Sequence, residues 1–225
     1  CVDLSACRVT AKAWPAWLQK RYGTIVVLNE RWHTAHADFA SIPVPAPAFE
    51  ATPSCLDFIR FNSETFADFH RWMADLVHEM APGLAVHAKI MMGAHFEKTL
   101  HGFWSVDPEA FAALSQYNGN DAYSLYDKTD GTWNNGWRHC QAGYDYQRSM
   151  ADRPVVNSEN HLIADRDVGV IPPAHLYATL WQNAIHGQSA TTIWVWERCN
   201  DDVSDLAGSI LQRPDCVEAV GRCGL

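Results

Sequence analysis

Several apolar runs in this 225-residue chain stop at side chains that can do chemistry. LAVHAKIM (84–91) ends around Lys89 and Met92, with His95 beyond. QYNGNDAYSLY (116–126) carries Asn118, Asn120, Asp121 and Tyr123. RPVVNSE (153–159) ends in Asn157 and Glu159, and His161 follows. ATTIWVWE (190–197) brings Trp194, Trp196 and Glu197. Amides and carboxylates pair with hydroxyl groups, and indole rings cover the apolar faces of sugars, so the set is a carbohydrate-binding chemistry. Glu159 is the sharpest of these residues. A carboxylate at a strand end, flanked by amides that hold it ionised, suits a retaining glycosidase nucleophile, which works with a second carboxyl about 5–5.5 Å away. The bland alternative is a helix cap or a surface glutamate in a strand-to-helix loop.

The elements that must position these groups alternate. Residues 63–80 place Phe66, Phe69, Trp72, Met73, Leu76, Val77 and Met80 at the period of an amphipathic helix, with Asn62 or Ser63 as cap and Pro82-Gly83 as stop. The Pro-rich stretch 41–54 before it reads as a surface loop. Residues 84–91 read as a buried strand, Asp107-Pro108-Glu109 opens a short helix, and 116–126 holds a strand. Residues 136–150 form a helix and 153–159 a strand. Pro172-Pro173 opens a helix that stops at Gly187, 190–197 is a strand rich in Thr, Ile, Val and Trp, and another helix starts after Pro214. Strands alternating with helices imply an α/β fold with a parallel sheet. A doubly wound sheet and part of a (β/α)8 barrel both fit, and in either the site gathers at the C-terminal strand ends.

Composition narrows the partners. With 17 Lys and Arg against 26 Asp and Glu, the formal charge of −9 opposes a nucleic-acid surface and suits a neutral small substrate. No apolar run approaches about 18 residues, so no membrane span is expected. Ten tryptophans mostly fill the core; Trp104, Trp133 and Trp137 fall in loops, where an indole can be a binding platform. Seven scattered cysteines without a C-x-x-C pair do not read as a disulfide framework, although Cys1 and Cys7 could be remnants of a metal cluster. Eleven histidines include His33 with His36 and His95 with His101, but no HExxH and no strand-ending HxH. His186 reads as a packing residue. No metal and no cofactor is expected, and a homo-oligomer of the full-length parent stays open. The chain begins with Cys and stops at Gly224-Leu225, which reads as a piece cut from a longer protein, so localisation is unknown.

Two glutamates offer themselves as the second carboxyl. Asn29-Glu30, closing IVVLNE, resembles the acid/base pair of the large retaining-barrel clan. Glu64 fits better in the first turn of its helix, where a carboxylate complements the dipole. Longer segments carry a more specific resemblance. WPAWLQKRYGTIVVLNERW (14–32), CLDFIRFNSETFADF (55–69), VVNSENHLI (155–163) and LWQNAIHGQSATTIWVWER (180–198) together resemble glycoside hydrolase family 42, the β-galactosidase-like enzymes. In the last segment Val195 stands where that family commonly has Arg. The resemblance implies the C-terminal half of a (β/α)8 barrel, in one partial catalytic domain over 1–225. Residues 1–54 would be a helix-and-loop insertion after the acid/base strand, and 55–225 the later βα units. It implies Glu159 as nucleophile, a structural Glu30 despite the β-propensity of TIVVL, and an acid/base residue just upstream of Cys1. It further implies a carbohydrate substrate bound by Asn120, Asp121, Asn157, His161, Trp194 and Trp196. The alternatives are a non-catalytic carbohydrate-binding barrel and a metal-dependent barrel hydrolase.

Overall fold

The computed structural model describes residues 9–45, 52–91, 106–121, 137–162, 171–194 and 210–224. The chain divides into two compact units: Cys1–Met73 with Glu97–Asp107, and Ala74–Phe96 with Pro108–Leu225.

The first unit holds α1 (Thr10–Tyr22), α2 (Ile25–Trp32), a 3-10 turn (Phe39–Ser41) and most of α3 (Pro53–Met80). The β-branched run at 24–27 suggests a strand, yet it folds as helix. Thr24 Oγ1 caps α2 by accepting the Val27 N–H at 3.4 Å. Leu28 and Trp32, one helical turn apart, are then buried against Trp14, Leu18, Ile42, Phe58 and Phe61. Packing of this aromatic face outweighs local propensity. α3 starts ten residues earlier than the periodicity suggests, because Pro53 occupies its first position and Thr52 Oγ1 accepts the Cys55 N–H at 3.2 Å. Asn62, Ser63 and Glu64 therefore lie inside the helix, not at its cap, and Glu64 accepts the Trp17 indole N–H at 2.6 Å.

Asp57 organises this unit from within. It is 2% exposed. Its carboxylate accepts from the Tyr22 hydroxyl and the Trp32 indole, the latter at 3.1 Å, and faces Arg21 and Arg60 at 3.4 and 3.2 Å. Burial, then this carboxylate, push the Tyr22 hydroxyl above its ordinary pKa. Replacing Asp57 by Ala removes the acceptor of the Tyr22 hydroxyl and leaves the Trp32 indole only the Tyr22 oxygen at 3.1 Å; it is expected to cost about 1–3 kcal/mol, read as a lowered denaturation midpoint by tryptophan fluorescence.

The second unit contains a four-stranded, all-parallel sheet in the order β1-β2-β3-β4. The strands are β1 (Lys89–Ile90), β2 (Asn118–Asn120), β3 (Val155–Asn160) and β4 (Gln188–Ile193). Helices α4 (Pro108–Leu114), α5 (Trp137–Met150) and α6 (Pro173–Ile185) intervene, and α7 (Pro214–Gly221) follows. Among the described residues, strands adjacent in sequence are adjacent in space, with no reversal of order such as a doubly wound sheet requires at its switch point. β1 is shorter than expected because residues 86–88 bond elsewhere. Val86 N–H donates to the Gln116 side chain at 2.7 Å, and Ala88 N–H to Ser115 Oγ at 3.2 Å. Gly187 ends α6 as expected, at φ 98°, where a β-carbon would be strained. Among the described residues, Cys55 and Cys223 are free thiols. No described helix is long and apolar enough to cross a membrane.

Candidate active site

Neighbouring strands must place their functional side chains on one face. In β2, Asn118 and Asn120 turn toward α5: Asn118 donates to the Gln147 carbonyl at 3.0 Å and Asn120 to its side-chain oxygen at 2.8 Å. Gln147 answers by donating to the Gly119 carbonyl at 3.1 Å. Asp121, one residue on, takes the opposite face. In β3, Val155 and Asn157 also turn toward α5. Asn157 donates to the Tyr144 hydroxyl at 2.9 Å. Burial drives that hydroxyl far above its ordinary pKa, so it stays neutral and serves as a fixed polar partner.

Glu159 has the same parity as Asn157, and a regular strand would bury it against α5. It escapes through a bulge. Asn157 pairs with Thr191 and Asn160 with Ile193, so β3 spends one residue more than β4 over this interval. Burial along β3 slips phase at the same point, with Ser158 and Glu159 both half-buried before Asn160 is buried again. The Glu159 N–H is tied back to Asn157 Oδ1 at 3.1 Å. Such bulges re-aim a side chain next to a functional centre.

Thus aimed, Glu159 meets three groups. Lys89 Nζ from β1 is hydrogen-bonded to Glu159 Oε2 and lies 3.2 Å from Asp121 Oδ2. His161 Nε2 lies 3.1 Å from Glu159 Oε1 and 4.0 Å from Asp121 Oδ1. The His161 ring stacks on Trp194 with centroids 5.9 Å apart and planes at 21°. Partial burial alone would raise the Glu159 carboxyl, but hydrogen bonds and charge from Lys89 and His161 prevail and hold it below its ordinary pKa. The deeper Asp121 moves the other way: burial raises it, Lys89 opposes, and the Glu159 charge adds to the rise. Asp121 Oδ1 and the Trp194 indole N–H are buried without a hydrogen-bond partner among the described residues. They are an acceptor and a donor set against a charged rim.

Asp121, Glu159, His161 and Trp194 therefore come together. Asn120 and Asn157 do not join them; both are wholly buried and hold the sheet to α5. Glu30 is exposed on α2 in the first unit. Its neighbour Asn29 closes the following turn, accepting the His36 N–H and donating to the His36 carbonyl, both at 2.9 Å. His186 contacts Asp145 at 2.9 Å near the surface and is not a core residue. Trp196, Glu197, Met92, His95, His101, Tyr123, Trp104, Trp133, Cys1, Cys7 and Cys199 lie outside the described residues, as does the side chain of Trp137. The strand reading did not join Lys89 to Glu159. A lysine inside the apolar run LAVHAKIM was the available signal, since such a cation is rarely buried unpaired.

The sequence model of glycoside hydrolase family 42, described as β-galactosidase, matches residues 1–215. This chain belongs to glycoside hydrolase family 42. The β-galactosidase Bga of Halorubrum lacusprofundi is 29% identical over 218 residues, covering 86% of this chain and 29% of that protein. A β-galactosidase of Thermus thermophilus is 36% identical over 128 residues, covering 53% of the chain and 18% of that protein. The solved family 42 exo-carrageenase of Bacteroides ovatus superposes with a TM-score of 0.77 at 24% identity, over 96% of this chain and 32% of that one. The family 42 chain thus spans about a third or less of the length of these relatives. Its parallel strands and helices are part of a (β/α)8 barrel, and the charged cluster sits at the C-terminal strand ends where such barrels act.

The Asn157 brace gives a test within this family 42 barrel. Tyr144→Phe removes the acceptor of the buried Asn157 amide and is expected to lower stability by about 1–2 kcal/mol, measured by thermal unfolding.

Proposed function

We propose that this chain carries the nucleophile side of a retaining β-glycosidase site, with Glu159 as nucleophile and a β-galactoside as the substrate class to test first. The observation that carries this reading is the bulged placement of Glu159. It is an ionised carboxylate at a barrel strand end, held by Lys89 and His161 beside the Trp194 indole.

In the first step a Glu159 oxygen bonds to the anomeric carbon as the bond to the leaving oxygen breaks, and a second carboxyl protonates that oxygen. In the second step the same carboxyl takes a proton from water, the water oxygen bonds to the anomeric carbon, and the Glu159 ester bond breaks. Asp121 offers an oxygen within 4.8 Å of Glu159 and its pKa is raised, chiefly by burial, but its Oδ2 lies 3.2 Å from the Lys89 ammonium, so this carboxyl is engaged as the partner of that ion. Asp121 suits a sugar hydroxyl, and Trp194 with His161 a sugar ring or hydroxyl. As the family resemblance implies, the proton donor is assigned to a carboxyl before Cys1; Glu30 and, more weakly, Glu64 of the first unit are the alternatives within the chain.

A metal-dependent hydrolase is the second reading, because Asp121, Glu159 and His161 offer ligand atoms within 4.8 Å of one another. Lys89 counts against it: its ammonium contacts both carboxylates, where a divalent ion would meet like charge.

The test is Glu159→Ala in the protein at its full native length. Hydrolysis of an aryl β-galactoside is expected to fall by more than about a thousandfold. Added azide should restore turnover and yield the α-glycosyl azide, because the small anion attacks from the face that Glu159 vacates. Near-normal hydrolysis by the variant would refute the assignment, and loss of wild-type activity on chelation would favour the metal reading.

A further inference from the structure

Lys89 has a geometry that a simple surface ion pair lacks. It leaves β1, while Glu159 leaves β3, with β2 between them. Strands lie about 4.8 Å apart, so the two backbones are separated by about 10 Å, and a long side chain is needed to cross. Its register partner on β2 is Gly119, and the space a β-carbon would take there holds the His87 ring, a further titratable group whose pKa is lowered by burial and then by the Lys89 charge. On arrival its ammonium touches both carboxylates, Asp121 at 3.2 Å and Glu159. The groups facing Glu159 among the described residues are thus Lys89 from β1, Asp121 from β2 and His161 following β3, with Trp194 stacked on His161.

Resting on the reading of Glu159 as nucleophile, we propose that Lys89 is a positioning residue that fixes the ionised Glu159 carboxylate for attack and keeps its own charge paired through the covalent intermediate. The Lys89 ammonium and the two carboxylates together carry a single negative charge. When Glu159 becomes an ester, that charge disappears, and Lys89 remains paired with Asp121. The ammonium is never left bare in the partly buried rim, and it is in place to receive the carboxylate that leaves in the second step. Asp121 thereby has two roles, as a sugar acceptor through Oδ1 and as the standing counter-ion of Lys89 through Oδ2.

The direction of the pH effect follows. Attack needs Glu159 ionised, so activity is lost as pH falls through its pKa. Lys89 helps hold that pKa down. Removing its charge must raise it and move the acid limb of the profile to higher pH.

The experiment compares kcat/KM of wild type, Lys89→Met, Lys89→Gln and Lys89→Arg, at full native length, on an aryl β-galactoside from about pH 4 to 9. The two neutral variants are expected to shift the acid limb upward by about one pH unit or more, and Lys89→Arg to stay near wild type. A lowered kcat at an unmoved limb would reduce Lys89 to a tie between strand ends and overturn the proposal. If both neutral variants melt below the assay temperature, Asp121→Asn supplies the complement. It leaves Lys89 wholly to Glu159 and should move the limb to lower pH; an unmoved limb overturns the proposal. Azide rescue of Glu159→Ala separates the two levels, because rescue with an unmoved limb sinks only the role of Lys89, whereas failed rescue sinks the nucleophile itself.

Discussion

A β-strand presents its side chains to two faces in turn, and β3 has to satisfy both within six residues. Its first half must fasten the sheet to α5, which it does with Val155 and the Asn157 amide. Its end must deliver a carboxylate to the opposite face. Strict alternation cannot do this with Asn157 and Glu159, which share a parity. An unbulged β3 would press an ionised carboxylate into the layer that holds Tyr144, where burial disfavours charge. The extra residue between Asn157 and Asn160 resolves the conflict. The rest of the cluster depends on that slip, since Lys89, Asp121 and His161 all converge on the side to which Glu159 has been turned.

The amide layer behind the strands gives this slip a rigid base. Asn118, Asn120 and Asn157 are buried and pair with Gln147 or Tyr144. Amide donors paired in a low-dielectric layer fix orientation more sharply than apolar side chains, because turning one away leaves its N–H without an acceptor; the Asn118 and Asn120 side-chain oxygens have no hydrogen-bond partner among the described residues. Asn157 belongs to both sides of the arrangement: its Nδ2 donates into the layer and its Oδ1 accepts from the Glu159 backbone. Gly119 has a related purpose. A β-carbon there would approach the His87 ring to 2.0 Å, so the strand needs glycine where that ring crosses it.

Much of this architecture was legible in the sequence. Apolar periodicity located the helices, the alternation of elements forecast the parallel sheet, and Glu159 stood out as a carboxylate ending a strand. Where local signals mislead, the causes are physical. The β-propensity of TIVVL stands against the helix-and-loop reading of residues 1–54, but propensity is local, and Leu28 and Trp32 are held as helix by packing against Trp14. Asn120 and Asn157 looked like ligands for hydroxyls because amides suit that chemistry, and their parity was known. Only the register against β4 and the partners on α5 reveal that they face away. The bulge itself leaves no signature in VVNSEN. Lys89 was visible as a cation in an apolar run, but the two-strand span to Glu159 is a property of the sheet, not of the sequence near either residue.

The division between frame and rim also bears on how one fold serves several substrates. The relatives include proteins named as β-galactosidases and one named as an exo-carrageenase, and the superposition with the latter covers nearly all of this chain. What such proteins share is the sheet with its helices, which sets where strand ends emerge. Within this chain, the groups that fix Glu159 lie on or directly after strands, in β1, β2 and β3. Groups positioned by strands are set by the register of the sheet, whereas a sugar's outer hydroxyls are met by whatever the loops bring to the rim. Under the proposed function, the Lys89–Asp121–Glu159 arrangement belongs to the reaction step common to every β-linked substrate. Discrimination among sugars then falls to the Asp121 Oδ1 acceptor, the Trp194 indole and the loops beyond the strand ends. Changes in specificity can then accumulate in those loops without disturbing the bulge that aims the nucleophile.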